Sequence, residues 1–458
     1  MHKFLFAIPI YINTTMSSQN NNDNADVDEQ HELAFGEHTG ISPWVTSDIN
    51  HIRNNNPNVT TFILTANNIT SLSELALELL GRYIANNTHL DTIHLMNCSV
   101  ADNDMPILFQ SLTKSSSIKE LNLFNYDDHT HDAYLHQVAL VGIQSMIPFL
   151  QKSPHLIKLD LSGNTSLNGE AFEVLINALD GGLIEELVLS RCSITDISTL
   201  GTVTLPCLKK ITLDENRIGR EGVMVLSNLL QQEGTTLASV AKLHLNNVGI
   251  DDDDVEILAN SLKHNTSLTN LDLGRNNITE IGYRTVLKLL NDVSSIDNTY
   301  NSNHSLTKVN GAYIGKHDTP KMKKIKRHID SALQMNRQYS DNAYTGKVKV
   351  IHTQLNSANR MELAKVQEID YSYESLFSGV DPIVLPEVLA LVERNCTHSV
   401  LFRMLVAVVP DLASLVNKEA ALKERRKDNG SDKSILWSYL SCLVCGAVLL
   451  AWKGKGRR

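Results

Sequence analysis

Leu156-Ile-Lys-Leu159-Asp-Leu161-Ser-Gly-Asn164 and Leu268-Thr-Asn-Leu271-Asp-Leu273-Gly-Arg-Asn276 are two copies of one pattern: apolar, two variable, apolar, one variable, apolar, two variable, Asn. The order returns from Val59 with Phe62, Leu64 and Asn67, and from Leu90 with Ile93, Leu95 and Cys98. Ile118 opens another copy with Leu121 and Leu123, and Ile184 another with Leu187, Leu189 and Cys192. Leu208 leads to Ile211, Leu213 and Asn216, and Val240 to Leu243, Leu245 and Val248. A worn ninth copy begins at Leu306 with Val309. The second apolar positions lie 31, 28, 38, 28, 24, 32, 28 and 38 residues apart, a unit of about 28. A period of that kind decides the architecture before local propensities do.

A unit of that length holds a short strand and a helix. In 254–263, Val255, Leu258, Ala259 and Leu262 recur at i, i+3, i+4 and i+7, one face of a helix. Val223, Leu226, Leu229 and Leu230 nearly repeat this one unit earlier. Strand then helix, repeated, predicts parallel strands with helices outside. No unit buries its own apolar faces, so stacked neighbours must share one elongated core. Asn67, Asn164, Asn216 and Asn276, with Cys98 and Cys192, stand where the chain leaves each strand. Side chains there are expected to bond backbone groups that the bend leaves unpaired.

Over roughly residues 58–310 this pattern resembles the ribonuclease-inhibitor-like leucine-rich repeat family. The resemblance implies an α/β solenoid with parallel strands on a concave face and helices on a convex one. Its members include inhibitors, scaffolds, activators of small GTPases and innate-immune receptors, so fold alone does not fix function. Three departures stand out: Tyr126 and Val248 replace the ladder Asn, and the 24-residue step leaves little room for a helix. The expected organisation is a disordered Asn/Asp-rich segment over 1–40, a solenoid over 41–310, a helical cap and stalk over 311–428, an apolar tail over 434–452 and a basic end over 453–458.

Charge divides at the same boundary. Residues 1–300 carry 17 Lys and Arg against 36 Asp and Glu, whereas 301–458 carry 24 against 15. An acidic solenoid argues against a nucleic-acid partner, since phosphates call for cationic surface. It suits a basic or mixed protein surface. Six cysteines, two of them in the repeat and two in the apolar tail, fit a reducing compartment rather than a disulfide framework. The eleven Asn-x-Ser/Thr sites, among them Asn58, Asn68, Asn265 and Asn277, follow from abundant Asn, Ser and Thr; Asn164 occupies a ladder position where a glycan has no room.

The stretch 435–452 is 18 residues without a charge. As a helix it spans about 27 Å, close to the hydrocarbon core of a bilayer. Trp437 and Tyr439 sit at one end and Trp452 at the other, as interfacial rings do, with Lys453, Lys455, Arg457 and Arg458 beyond. The expectation is a single-pass membrane anchor that resembles those of tail-anchored proteins, with the repeats facing the cytosol from the outer membrane of mitochondria or another organelle, or from the endoplasmic reticulum. The apolar run 4–12 resembles a signal peptide but is broken by Pro9 and followed by no small-x-small cleavage site, and a start at Met16 would remove it altogether.

No motif for phosphate binding, nucleophilic hydrolysis or zinc is present, and neither a cofactor nor a small-molecule substrate is expected. The acidic run 251–254 precedes an amphipathic helix and is expected to cap it. The basic run 321–327 follows Pro320 and is expected on a helix face beyond the repeats. In the long third step, Asp128, His129, His131 and Asp132 are metal-ligand types, but a polar insertion on a rigid scaffold fits partner contact better.

Strand alternation then names a binding surface. Residues flanking the inner apolar positions point outward, which predicts contacts through His94, Met96, Asn122, Phe124, Asp160, Asp214, His244 and Asp272. The chain reads as a non-enzymatic, membrane-anchored scaffold or recruiter of another protein. Two alternatives remain: a GTPase-activating protein like the activator of Ran, with Arg191, Arg217 or Arg275 as the arginine, and an extracellular type I receptor.

Overall fold

A computed structural model describes residues 30–31, 33–35, 41–65, 72–96, 100, 102–125, 137–231, 236–312, 315–316, 318–339, 341–354 and 357–369. Nine strands form one parallel sheet in strict chain order: β1 (Thr61–Thr65), β2 (Thr92–Met96), β3 (Glu120–Asn122), β4 (Lys158–Asp160), β5 (Glu186–Val188), β6 (Lys210–Thr212), β7 (Lys242–His244), β8 (Asn270–Asp272) and β9 (Lys308–Asn310). The worn ninth copy is therefore a true strand, with Val309 in register with Leu271. Every copy of the pattern keeps its place, as Phe62, Ile93, Leu121, Leu159, Leu187, Ile211, Leu243 and Leu271 run in one row across the sheet. These residues and the second inner row, from Leu64 to Leu273, are buried throughout.

Behind the sheet lies a single layer of helices. After α1 (Pro43–Arg53), which covers the start, come α2 (Glu74–Asn86), α3 (Met105–Leu112), α4 (Leu140–Lys152) and α5 (Glu170–Ala178). Then follow α6 (Gly219–Gln231), α7 (Asp252–Leu262), α8 (Glu280–Leu290), the short α9 (Ile296–Tyr300) and α10 (Pro320–Gln338). The 24-residue unit replaces its helix with the 3-10 turn Ser198–Gly201, which packs between α5 and α6 and buries Leu200. Parallel strands sit about 4.8 Å apart while packed helices need about 8–10 Å. A layer of each, joined unit by unit, must curve with the strands inside.

The predicted Asn ladder is the joint between units. Asn164 donates through Nδ2 to the carbonyls of Leu123 (2.8 Å) and Leu161 (2.7 Å) and accepts from the Val138 amide (2.8 Å). Asn216 and Asn276 do the same two and four units on. Cys192 serves as a ladder residue by donating its thiol to Leu161 O. Val248 cannot donate, and Asn276 bridges the gap by holding Leu245 O and the Val248, Gly249 and Ile250 amides. Asn67, Cys98 and Tyr126 lie outside the described residues.

A second joint was not read from the sequence. Asn87, Asn265 and Asn303 each stand three residues before a strand-leading leucine, and each accepts from that leucine's amide. Their Nδ2 groups reach back to Ile52, Leu230 and Leu262 carbonyls in the preceding unit. The signal was present as Asn-x-x-Leu before Leu90, Leu268 and Leu306. Helix starts are also tied across units. Asp102 accepts from the Ala139, Val141 and Gly142 amides at the start of α4, and Asp252 from Thr279 and Gly282 at the start of α8. The acidic run 251–254 thus caps two helices, since Asp251 and Asp254 form a capping box on α7 itself.

The helix carrying the basic run packs beside α8 as the outer helix of the ninth unit. Much of its charge is met: Lys326 pairs with Asp318 (3.2 Å) over the Tyr283 ring, Lys321 with Glu368 (3.0 Å), and Lys324 with Glu362 (3.2 Å). Helices α11 (Asn342–Lys349) and α12 (Ser357–Gln367), joined through the π-helical turn Val350–Gln354, fold back onto α8, α9 and α10. Among the described residues no helix is long and apolar enough to cross a membrane; the predicted span with Trp437, Tyr439 and Trp452, the run 4–12 and the stalk beyond 369 lie outside them.

Candidate functional site

The concave sheet face presents three rows of side chains. The first runs from Thr92 through Glu120, Lys158, Glu186, Lys210 and Lys242 to Lys308. Its charges alternate and pair as far as Lys210, Glu120 with Lys158 (3.1 Å) and Glu186 with Lys210 (3.2 Å). Half-exposed pairs of this kind contribute little stability each, and beyond them Lys242 and Lys308 leave the end of the row positive.

The second row carries His94, Asn122, Asp160, Val188, Thr212, His244 and Asp272. The third carries Met96, Phe124, Ser162, Ser190, Asp214, Asn246 and Gly274, two residues further along each chain. All eight predicted contact residues therefore fall on these two adjacent rows. Seven are half-buried on that face; Asn122 is different, at 1% exposed. Its Nδ2 and the Oγ1 of Thr212 in the same row, also buried, have no hydrogen-bond partner among the described residues.

Three carboxylates are held in fixed orientation. Asp160 Oδ1 accepts from the Ser162 amide (2.9 Å), Asp214 Oδ1 from the Asn246 amide (2.7 Å) and Asp272 Oδ1 from the Gly274 amide (2.9 Å). Asp272 Oδ2 also accepts from Asn310 Nδ2 (2.7 Å). Among the described residues none of the three forms an ion pair. Burial raises the Asp214 carboxyl above the ordinary carboxylate range, and the nearby Asp272 and Glu215 charges add to this against the Asn246 bond. Burial also lowers His94, with Lys158 adding to the effect, so the imidazole is neutral at physiological pH.

At the rim, the residue before the ladder position adopts left-handed backbone from the fourth unit on: Gly163, Arg191, Glu215, Asn247, Arg275 and Gly311. This aligns Arg191 with Glu215 in a two-point pair, both bonds 2.9 Å, with Arg275 at 4.0 Å from the same carboxylate. Of the arginines offered for GTPase activation, Arg191 is engaged by this pair and Arg217 stands exposed. The loop with Asp128, His129, His131 and Asp132 lies outside the described residues, and no cluster of metal-ligating side chains occurs among those described. Three glycosylation sequons are structural: Asn164, Asn265 and Asn303 use their amides in the ladders, and Asn164 and Asn303 are also buried.

Known proteins share this repeat. No family model matches the chain. Over 150 residues it is 33% identical to human NACHT, LRR and PYD domains-containing protein 14, covering 31% of this chain and 13% of that protein. Over 256 residues it is 26% identical to the ribonuclease inhibitor of Sus scrofa, covering 50% of this chain and 54% of the inhibitor. Over 204 residues it is 27% identical to mouse NACHT, LRR and PYD domains-containing protein 5, covering 43% and 16%. The chain thus spans about half or less of the length of these curated relatives. A solved internalin of Listeria monocytogenes aligns with 64% of the chain and 96% of its own at 14% identity and a TM-score of 0.21, too slight a likeness to bear on fold or function.

Proposed function

We propose that this chain, a leucine-rich-repeat protein of the ribonuclease-inhibitor-like kind, binds and positions another protein through the centre of its concave face. The carrying observation is the set of three oriented carboxylates, Asp160, Asp214 and Asp272, which no cation of the described residues neutralises. Pinned by backbone amides, they lose little conformational entropy on meeting a ligand. Carboxylates on a half-buried surface attract Arg and Lys groups by charge-assisted hydrogen bonds. The apolar side chains of Met96 and Phe124, on β2 and just beyond β3, supply a nearby contact of another kind.

A protein partner suits an extended sheet face better than a small molecule, which calls for a concave pocket of a few hundred Å³. One relative, which matches half of this chain, is a ribonuclease inhibitor, a protein whose name is that of a protein-directed binder. The reading is of a scaffold without chemistry of its own. Anchoring by 434–452, with the repeats toward the cytosol, belongs to the same reading and rests on the charge-free run and its flanking Trp437, Tyr439 and Trp452.

Proximity labelling from the repeats tests both parts. Replacing Asp160, Asp214 and Asp272 with Lys should abolish labelling of a defined set of proteins while leaving the thermal midpoint within a few degrees. Deleting 434–458 should disperse the labelling from a membrane to the cytosol. An unchanged labelled set after the triple replacement overturns the concave-face reading; unchanged distribution after the deletion overturns the anchor.

A further inference from the structure

Lys349 is fully buried at the end of α11, yet among the described residues it faces no carboxylate. Its ammonium donates to Leu290 O (2.5 Å), Asn303 O (3.2 Å) and His304 Nδ1 (2.9 Å). Those acceptors lie at the C-terminal end of α8 and on the segment between α9 and β9, so one side chain from the folded-back helices clasps the last units. His304 Nε2 in turn donates to Tyr300 O (2.8 Å), which fixes the ring as the neutral tautomer with a lone pair on Nδ1. Gly346 permits the approach, for a Cβ there would stand 2.8 Å from Tyr300 O and 3.1 Å from His304 Nε2.

We infer that Lys349 and His304 form an acid-released latch that holds helices α11 and α12 against the end of the solenoid. A proton on His304 Nδ1 removes the acceptor that Lys349 requires and sets two cations about 3 Å apart in a buried site. The surrounding charges cannot relieve this. Asp292 is spent on the Ser294 amide, Asp297 on Asn301 and Asp341 on the Tyr344 amide. Arg337 of α10 pairs with Asp330, while on and beyond α12 Glu362 is shared between Lys324 and His328, and Glu368 between Arg284 and Lys321. Lys347 and His352, on the latch itself, offer no negative charge.

Burial, with the Lys349 charge next, lowers His304 from 6.5 to about 4, and burial lowers Lys349 to about 7. The sign follows by linkage. Once released, His304 returns to its ordinary value and takes up a proton that the docked ring refuses. Docking is therefore strongest above pH 6.5 and weakens as pH falls toward 4, by up to about tenfold per pH unit for one proton. The corresponding step for Lys349 lies between its ordinary 10.5 and about 7, so the response on the acid side belongs to His304.

Hydrogen exchange on the full chain at pH 7.5, 5.5 and 4.5, corrected for intrinsic rates, reads the latch directly. Amides of 342–367 should lose protection by up to about tenfold per unit below pH 6.5, while those of α5 to α7 hold. His304→Gln keeps a donor for Tyr300 O and an acceptor for Lys349 but cannot be charged, so its profile should be flat. A second measurement covers failure of that variant to dock: the His304 imidazole titrated by NMR in the unaltered protein, expected well below 6.5. A His304→Gln profile that follows the wild type, or a His304 midpoint at or above 6.5, overturns the inference.

Discussion

Asn216 Oδ1 holds the backbone amide of Cys192, one unit earlier, at 3.0 Å, and through that bond the fifth unit of the solenoid is fixed by the sixth. The same oxygen accepts from the Ile194 amide at 3.0 Å, and Nδ2 donates to Leu189 O and Leu213 O. One buried side chain thus satisfies backbone groups in two units. Replacing it with Ala leaves them buried and unpaired, at a cost of about 2–4 kcal/mol. Urea unfolding should show the drop, and amides of the units on either side should lose protection first, as expected for a nearest-neighbour array. Asn216→Asp should be nearly as damaging, because a carboxylate cannot donate.

The ladder also explains the chemistry of Cys192. Its thiol is buried and donates to Leu161 O, and burial pushes it up to about 12. Since the thiolate is the reactive form, native protein should leave Cys192 unmodified by iodoacetamide at pH 8. Half-buried Cys207 should react much faster. Mass spectrometry of the labelled peptides distinguishes them, and rapid native labelling of Cys192 would contradict its place in the ladder.

Two glycines with positive φ should respond unequally to alanine. At Gly163, φ is +81° and a Cβ would fall 1.5 Å from Asn125 O in the neighbouring unit. At Gly169, φ is +50° and a Cβ would meet nothing within 4 Å. Gly169→Ala should therefore cost about 1–2 kcal/mol, the left-handed backbone alone. Gly163→Ala should cost about 3 kcal/mol or more, because the neighbouring backbone must also move. Equal effects in denaturant titration would mean that the units are not packed as closely as Gly163 and Asn125 require.

The repeat was legible because burial of an apolar strand is periodic, and periodicity survives in sequence. Phe62 to Val309 could be aligned before any coordinate, and so could the outward rows bearing His94, Asp160 and Asp272. The short unit lacked a helix, as its 24-residue step required. What alternation could not supply was depth. Asn122 lies on the predicted face yet is buried, since exposure depends on which neighbours stand beside it rather than on strand parity. The second Asn joint escaped because Asn87, Asn265 and Asn303 read as ordinary turn residues, or as parts of glycosylation sequons, until their carbonyl partners one unit away are known. Lys349 escaped for the same reason: nothing local to 342–354 announces that Leu290 O and His304 wait for it.

The concave face should itself sense pH through Asp214. Burial raises that carboxyl above the ordinary 3.8. For the free protein the sign is stabilising on acidification, because the folded state takes up the proton more readily than the unfolded one as pH falls through the raised value. For binding it is opposite. A cationic group on the partner needs the carboxylate, so affinity is full above the raised value and falls as pH drops through it. Isothermal titration with a partner recovered by proximity labelling should show affinity declining as Asp214 takes up its proton, and Asp214→Asn should weaken binding at neutral pH while removing that part of the decline. A variant that binds as tightly as the wild type at neutral pH would place the contact elsewhere on the solenoid.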